Sequence, residues 1–172
     1  MVCNKLFRKQ IIGDNKVVFP YGLRYEDVEF FYKLVPNINK ISVINKSFYN
    51  YMQRESSIAN VQNEKTADIF TILENINKFY LENGIYEKYK NELEYLHIRL
   101  LLGSSFLRII KIQDKHIRKK LLDKSLEVLN LKFPKWKKNN ILKNQKTKKD
   151  LYYKSVNNIT YKVYKKIFRI FK

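Results

Sequence analysis

The apolar pattern changes character after Asn63. Before it the elements are short and mixed. Lys16–Phe19 is a brief extended run, stopped by the turn sequence Pro20-Tyr21-Gly22. Val28, Phe31 and Val35 have helical spacing and predict a helix from near Tyr25 to Val35, ended by Pro36. Ile41–Ile44 and Phe48–Tyr51 are rich in β-branched and aromatic residues and are strand candidates. Beyond Asn63 the spacing is helical. Ile69, Ile72, Leu73, Ile76, Phe79 and Tyr80 form one face, with Gly84 as a C-terminal stop. Tyr86 to Ile112 reads as a helix or a broken pair with Leu93, Leu96, Leu100 and Leu107 inward, and Gly103-Ser104-Ser105 marks close packing or a kink. Asp114 can cap a further helix carrying Ile117, Leu121, Leu122 and Leu129. Pro134 and Trp136 open a basic connector, in which the Lys/Asn-rich stretch Lys137–Lys149 is compositionally biased and expected to be mobile. A last helix from about Asn157 places Val163, Tyr164, Ile167, Phe168 and Phe171 on one face, with Lys162, Lys165, Lys166, Arg169 and Lys172 on or beside the other. The pattern as a whole predicts a mainly α chain with a small β component.

Composition agrees with this picture. With 45% hydrophobic and 30% charged residues over 172 positions, a packed core is possible and wholesale disorder is not expected. Four Gly and three Pro are too few for a turn-rich all-β design. The one cysteine, Cys3, excludes an intrachain disulfide, which fits a reducing cytoplasm. Met1–Gln10 has no apolar core and does not read as a signal peptide, and no run approaches the roughly 20 apolar residues of a membrane span.

Charge changes the picture more. The 35 Lys and Arg against 16 Asp and Glu give a formal charge of +19, which implies a polyanionic partner or surface. Lys132–Lys172 holds fourteen basic residues and one acid, Asp150, so the excess is foremost a property of the C-terminal part. There the final helix combines an aromatic apolar face with basic flanks. Its plain reading is a core-docked helix with solvated lysines. Its functional reading is docking to anionic lipid, with Lys162, Lys165, Lys166 and Arg169 at the head groups and Phe168 and Phe171 at the acyl boundary.

Few residues have the spacing of a chemical site. Glu26-Asp27 reads, from spacing alone, as the acidic first turn of a helix, where the dipole favours negative charge. It can also be read as a general base aimed at a substrate hydroxyl, with one of the two carboxylates doing that work. His97 and His116 are far apart with no acid or Cys at ligand spacing, so no metal site is expected from them. Cys3 lacks a nearby base and reads as packed, and Ser104-Ser105 lack a nucleophile context.

Three segments occur in order at close spacing: Asn4-Lys5-Leu6-Phe7-Arg8-Lys9, then Phe19-Pro20-Tyr21-Gly22-Leu23-Arg24-Tyr25-Glu26-Asp27, then Tyr49-Asn50-Tyr51-Met52-Gln53-Arg54-Glu55-Ser56-Ser57-Ile58. Together they resemble the second half of a bacterial family 2 glycosyltransferase domain of the GT-A type. The first resembles the stretch after the central strands. The second resembles the Glu-Asp motif, and the third a Tyr-x-Arg-x-Arg-x-x-Ser-Ile loop near the nucleotide diphosphate. The motifs cover roughly residues 1–60, and the helices to about residue 131 match in style.

The resemblance implies inverting transfer from a nucleotide-diphospho-sugar to an envelope or capsular glycan acceptor. In it Asp27 is the base, Glu26 its supporting neighbour, and Arg54, with Gln53 beside it, a diphosphate contact. Met52 stands where the family often has Arg or His. A divalent cation, Mg or Mn, is implied for the complete enzyme. The family's nucleotide-binding half and its Asp-x-Asp motif have no counterpart in these residues, and Met1-Val2-Cys3 reads as the middle of a domain. These residues alone are therefore expected not to transfer sugar, and a separate N-terminal half acting in trans is an expected partner. The expected organisation is an acceptor-side part at 1–60, a helical region at 61–131 and a basic amphipathic tail at 132–172, in a cytoplasmic chain that is peripheral on the inner face of the membrane. The rival reading is a basic helical module for membrane or nucleic acid. Against nucleic acid, no helix-turn-helix, zinc finger or single-strand-binding pattern is present. A third reading is an inert fragment.

Overall fold

A computed structural model describes residues 2–52 and 61–170. The protein is mainly helical, and among the described residues there is no strand. The chain divides into two compact units, one of Met1–Val61 with Asp68–Gly84, the other of Gln62–Ala67 with Ile85–Lys172.

The first unit contains α1 (Lys9–Asp14), α2 (Glu26–Leu34) and α3 (Asp68–Glu82). The predicted helix over 25–35 forms, and Pro36 turns its end into a short 3-10 turn, Val35–Asn37. Phe30 and Leu34 of α2 form a small core with Val17, edged by Val2, Phe7, Ile11, Ile12 and Ile38. α2 packs on α3 and is tied to it by the Tyr80 hydroxyl, which donates to the Tyr32 carbonyl at 2.8 Å. The face expected on α3 is buried at Ile69, Ile72, Leu73, Ile76 and Tyr80. Gly84 ends that run with φ +65°, a conformation that suits a residue without Cβ.

The small β component does not form among the described residues. Lys16–Phe19, Ile41–Ile44 and Phe48–Tyr51 carry no ladder, and every residue from 39 to 52 is exposed. β-branched and aromatic composition makes a segment suitable for a strand, but a strand needs a neighbour for its backbone groups, and even a lone two-stranded pair is marginal in water.

The second unit is built from α4 (Tyr86–Ile98), a π-helical turn at Arg99–Ser104, α5 (Ser105–Ile110), α6 (Lys115–Lys132), α7 (Asn140–Asn144), α8 (Lys148–Ser155) and α9 (Asn158–Ile170). The broken pair expected over 86–112 is this α4–π–α5 run. Gly103 lies in the π turn, where any Cβ would meet the Tyr153 hydroxyl. The wider turn shifts the register of the inward face. Leu93 and Leu96 are buried as expected, but Leu107 is half exposed, and Phe106, Ile109 and Ile110 fill the core instead. Asp114 caps α6 as expected, accepting from the backbone N–H groups of His116 and Ile117 at 2.8 and 2.9 Å.

The stretch 137–149, expected to be mobile, is structured. Its anchors are polar, and those to α4 are distant in sequence. Buried Asn139 donates to the Asn91 carbonyl at 2.8 Å and to Glu94 at 2.7 Å, and it caps α7. Buried Trp136 donates to Asn130 at 2.9 Å. Buried Asp150 forms the capping box of α8 with Thr147 and accepts from the Tyr95 hydroxyl at 2.9 Å. Phe133, Trp136, Leu142, Tyr153, Val156 and Tyr161 are core residues, so the basic C-terminal stretch is an integral part of the second unit rather than an appended tail.

Candidate functional site

The carboxylate pair sits where a tight turn delivers the chain to α2. Pro20-Tyr21-Gly22 bends the backbone, with Gly22 at φ +75°. Tyr25 then precedes the helix in the left-handed region, at φ 64° and ψ 25°. Only Lys16 shares that feature among the described non-glycine residues. Such a conformation costs a bulky residue about 1–2 kcal/mol. It is held on both sides. The Arg24 N–H donates to Asp68 at 2.9 Å and its guanidinium to the Val61 carbonyl at 2.9 Å. The Tyr25 carbonyl accepts the first helical bonds, from the N–H groups of Val28 and Glu29.

This entry sets the roles of three acids in the first turn. Glu26 is exposed and Asp27 half-buried, whereas Glu29 is buried. Glu29 accepts from Lys33 at 2.6 Å and from Asn75 at 2.9 Å, so it is a structural carboxylate that ties α2 to α3. The sequence reading passed over Glu29. Its signal was the Glu–Lys spacing of four, which places the two side chains on one helical face.

Two of the three motif segments meet on α2 within the first unit. Phe7 of the first meets Phe30 edge-on at 5.9 Å, and Phe19 of the second stacks on the same ring at 4.1 Å. The Tyr49 phenol of the third is raised above its ordinary range, chiefly by its interaction with Cys3, just ahead of the first. Tyr49 in turn lies 6.3 Å from Tyr51. Cys3, expected to be packed, is exposed. Met52 is exposed, and Gln53 and Arg54 lie outside the described residues.

Among the described residues, no group of three His, Cys, Asp or Glu side chains could hold a metal ion. The two best-defined concavities are lined by residues of the second unit, one including Glu87, Lys90 and Glu94, the other Lys120, Glu127 and Leu131. His97 is a core residue. Its Nδ1 is 2.7 Å from the Leu93 carbonyl, and its ring meets Phe133 edge-on at 4.9 Å. Burial pushes it down to about 4, so it is neutral at physiological pH.

The basic helix divides its residues differently from the expectation. Phe168 turns inward, 5.6 Å from both Phe106 and Tyr152, and Tyr164 lies 4.8 Å from Tyr152. Lys165 pairs with Asp123 at 2.6 Å. Lys162, Lys166 and Arg169 are exposed, and Phe171 lies outside the described residues. Two outward residues were missed, Ile159 and Ile170. Their spacing with Val163 and Ile167, at i, i+4, i+8 and i+11, was the available signal. Among the described residues, no helix is long and apolar enough to cross a membrane. Compared with protein-family models, curated proteins and solved structures, the chain matches none of them.

Proposed function

We propose that the first unit is the acceptor-side part of a family 2 inverting glycosyltransferase, with Asp27 as the general base. The observation that carries this reading is the packing of Phe7, from the first segment, and Phe19, from the second, on Phe30 of α2, whose first turn carries exposed Glu26 and half-buried Asp27 and keeps Glu29 buried. In the proposed reaction, the Asp27 carboxylate takes the proton of an acceptor hydroxyl. The hydroxyl oxygen forms a bond to the anomeric carbon of the donor as the bond from that carbon to the diphosphate breaks. The nucleoside diphosphate leaves with the electron pair, and the proton remains on Asp27. Glu26 supports the base, and Gln53 and Arg54 offer contacts to the diphosphate.

A divalent cation, Mg or Mn, belongs to the family's reaction, but the donor set of the described residues does not fit one. The 172 residues also contain no Asp-x-Asp. The nucleotide-binding half is therefore proposed to be supplied from outside these residues. The exposed apolar residues of 39–52, Ile41, Val43, Ile44 and Phe48 among them, support that reading, since they leave a surface that a further part of the domain can cover. The reading implies a cytoplasmic enzyme acting on envelope or capsular glycan.

The experiment is a complementation assay with nucleotide sugars, Mn or Mg and an envelope extract as acceptor. The 172-residue chain alone is expected to give no transfer above background. Adding a separately made family 2 nucleotide-binding half is expected to restore it. Transfer by the chain alone, or nucleotide-sugar binding by it alone, contradicts the reading.

A further inference from the structure

Helix α9 has two apolar faces, and among the described residues one of them is packed while the other is largely exposed. Tyr161, Tyr164 and Phe168 face the body of the second unit. Phe168 and Tyr161 contact the fully buried Phe106 at 5.6 and 5.5 Å. The Tyr161 hydroxyl donates to the Leu122 carbonyl at 2.8 Å. Asn157 caps the helix by accepting from the N–H groups of Ile159 and Thr160, both at 2.9 Å. The helix is thus fixed in place without its opposite side.

That opposite side is a stripe of β-branched residues. Ile159 is 76% exposed, Val163 48%, Ile167 41% and Ile170 77%. At 100° per residue the four fall within about 80° of arc, along a helix about 20 Å long. Lys162, Lys166 and Arg169, all exposed, run along one edge of the stripe. Lys165 is not among them, because it is drawn inward to Asp123 and over the Tyr161 ring.

We propose that this outer face of α9 is a docking surface for an anionic lipid bilayer. The stripe enters the boundary between head groups and acyl chains, and the basic edge meets the lipid phosphates. Three features select this occupant. A stripe of Ile and Val has nothing to offer a nucleic acid, whose recognition uses phosphate contacts, base edges and aromatic stacking. A second copy would bring together two chains that each carry +19 overall. An anionic bilayer satisfies both halves of the face, with apolar depth for the stripe and negative potential for the edge. The inward packing contributes as well, because the helix is ordered before it binds and association does not have to fold it. The proposal does not rest on the transferase reading.

The test is co-sedimentation of the full chain with phosphatidylcholine vesicles, with and without phosphatidylglycerol, at low and high salt. Binding is expected to require the anionic lipid, to weaken as salt rises, and to keep a salt-resistant part. Val163→Ser with Ile167→Ser is expected to lower binding about tenfold at high salt. Lys162→Glu with Lys166→Glu and Arg169→Glu is expected to lower it about a hundredfold at low salt. The altered positions are exposed, so circular dichroism and melting should be unchanged. Should the first pair disturb folding, Ile159→Ser with Ile170→Ser removes the two most exposed stripe residues instead. The proposal is overturned if the stripe variants bind like the parent. It is also overturned if duplex DNA binds as well as vesicles and salt releases it completely, or if the stripe variants abolish a dimer rather than vesicle binding.

Discussion

The two units treat similar residues in opposite ways. The second unit takes the lysine-rich stretch from Lys132 onward and brings it into its core through Trp136, Leu142, Tyr153, Val156 and Tyr161. The first unit carries Ile41, Val43, Ile44, Phe48 and Tyr51 in one short stretch and leaves all of them exposed. Hydrophobic content does not separate the two cases. What separates them is whether a covering element is available. Around Asn139 and Asp150, α4 supplies carbonyl, carboxylate and hydroxyl partners. For residues 39–52 no described element does so, and a strand without a neighbour gains nothing from its composition.

The comparison is broken most strongly at Phe106, the fully buried ring beneath α9. Phe106→Ala is expected to cost about 3–5 kcal/mol in denaturant unfolding, because the cavity lies among aromatic rings that cannot all collapse into it. A loss below 1 kcal/mol would contradict a tightly packed second unit, by the usual ~1 kcal/mol scale of surface changes.

Acid is expected to act next. His97 is held neutral by burial at about 4 against 6.5 when unfolded, so the unfolded chain takes up a proton first as pH falls. The stability this contributes is complete above the unfolded value and is lost as pH drops from about 6.5 toward 4. The loss is on the order of 3 kcal/mol. Unfolding free energies measured across that window should show the slope, and His97→Gln should flatten it. A parent protein with no slope there would place His97 at the surface.

Asp150→Asn should have a smaller effect. Burial opposes ionisation of this carboxyl, but hydrogen bonds from Thr147 and Tyr95 outweigh it and hold it below the usual carboxylate range. The amide keeps the shape and puts a donor where hydroxyl donors point, which is expected to cost about 1–3 kcal/mol. Smaller still is the response of the uncovered stretch. Val43→Ser with Phe48→Ser should change unfolding free energy by less than about 0.5 kcal/mol. If the pair destabilises the fold as Phe106→Ala does, residues 39–52 are packed and the contrast fails.

The parts of the fold that were legible in the sequence are those decided locally. The turn at Pro20-Tyr21-Gly22, the Pro36 stop, the Gly84 terminus and the Asp114 cap each depend on a few neighbouring residues. The docking of α7 and α8 was not legible, because it turns on pairs such as Asn139 with Asn91 and Asp150 with Tyr95, which lie 48 and 55 positions apart. The π turn was half legible. Gly103 announced a close approach, but nothing local told that the extra residue would move Leu107 outward and Phe106 inward. At the candidate site, the spacing of Glu26 and Asp27 was readable, but the left-handed Tyr25 before them and the burial of Glu29 after them were not. The single apolar face read for α9 split in two because a helical wheel cannot tell which side the body will occupy.

The central claim is that Asp27 is a base rather than an acid placed to suit a helix dipole. The most direct test compares Asp27→Asn with Glu26→Gln in the complemented transferase, reading turnover together with the melting of each variant. The account predicts that Asp27→Asn lowers turnover about 100- to 10,000-fold with melting unchanged, and that Glu26→Gln costs far less. Equal and small losses for the two, matched by equal shifts in melting, would return the pair to the first turn of α2 as a structural feature and contradict the account.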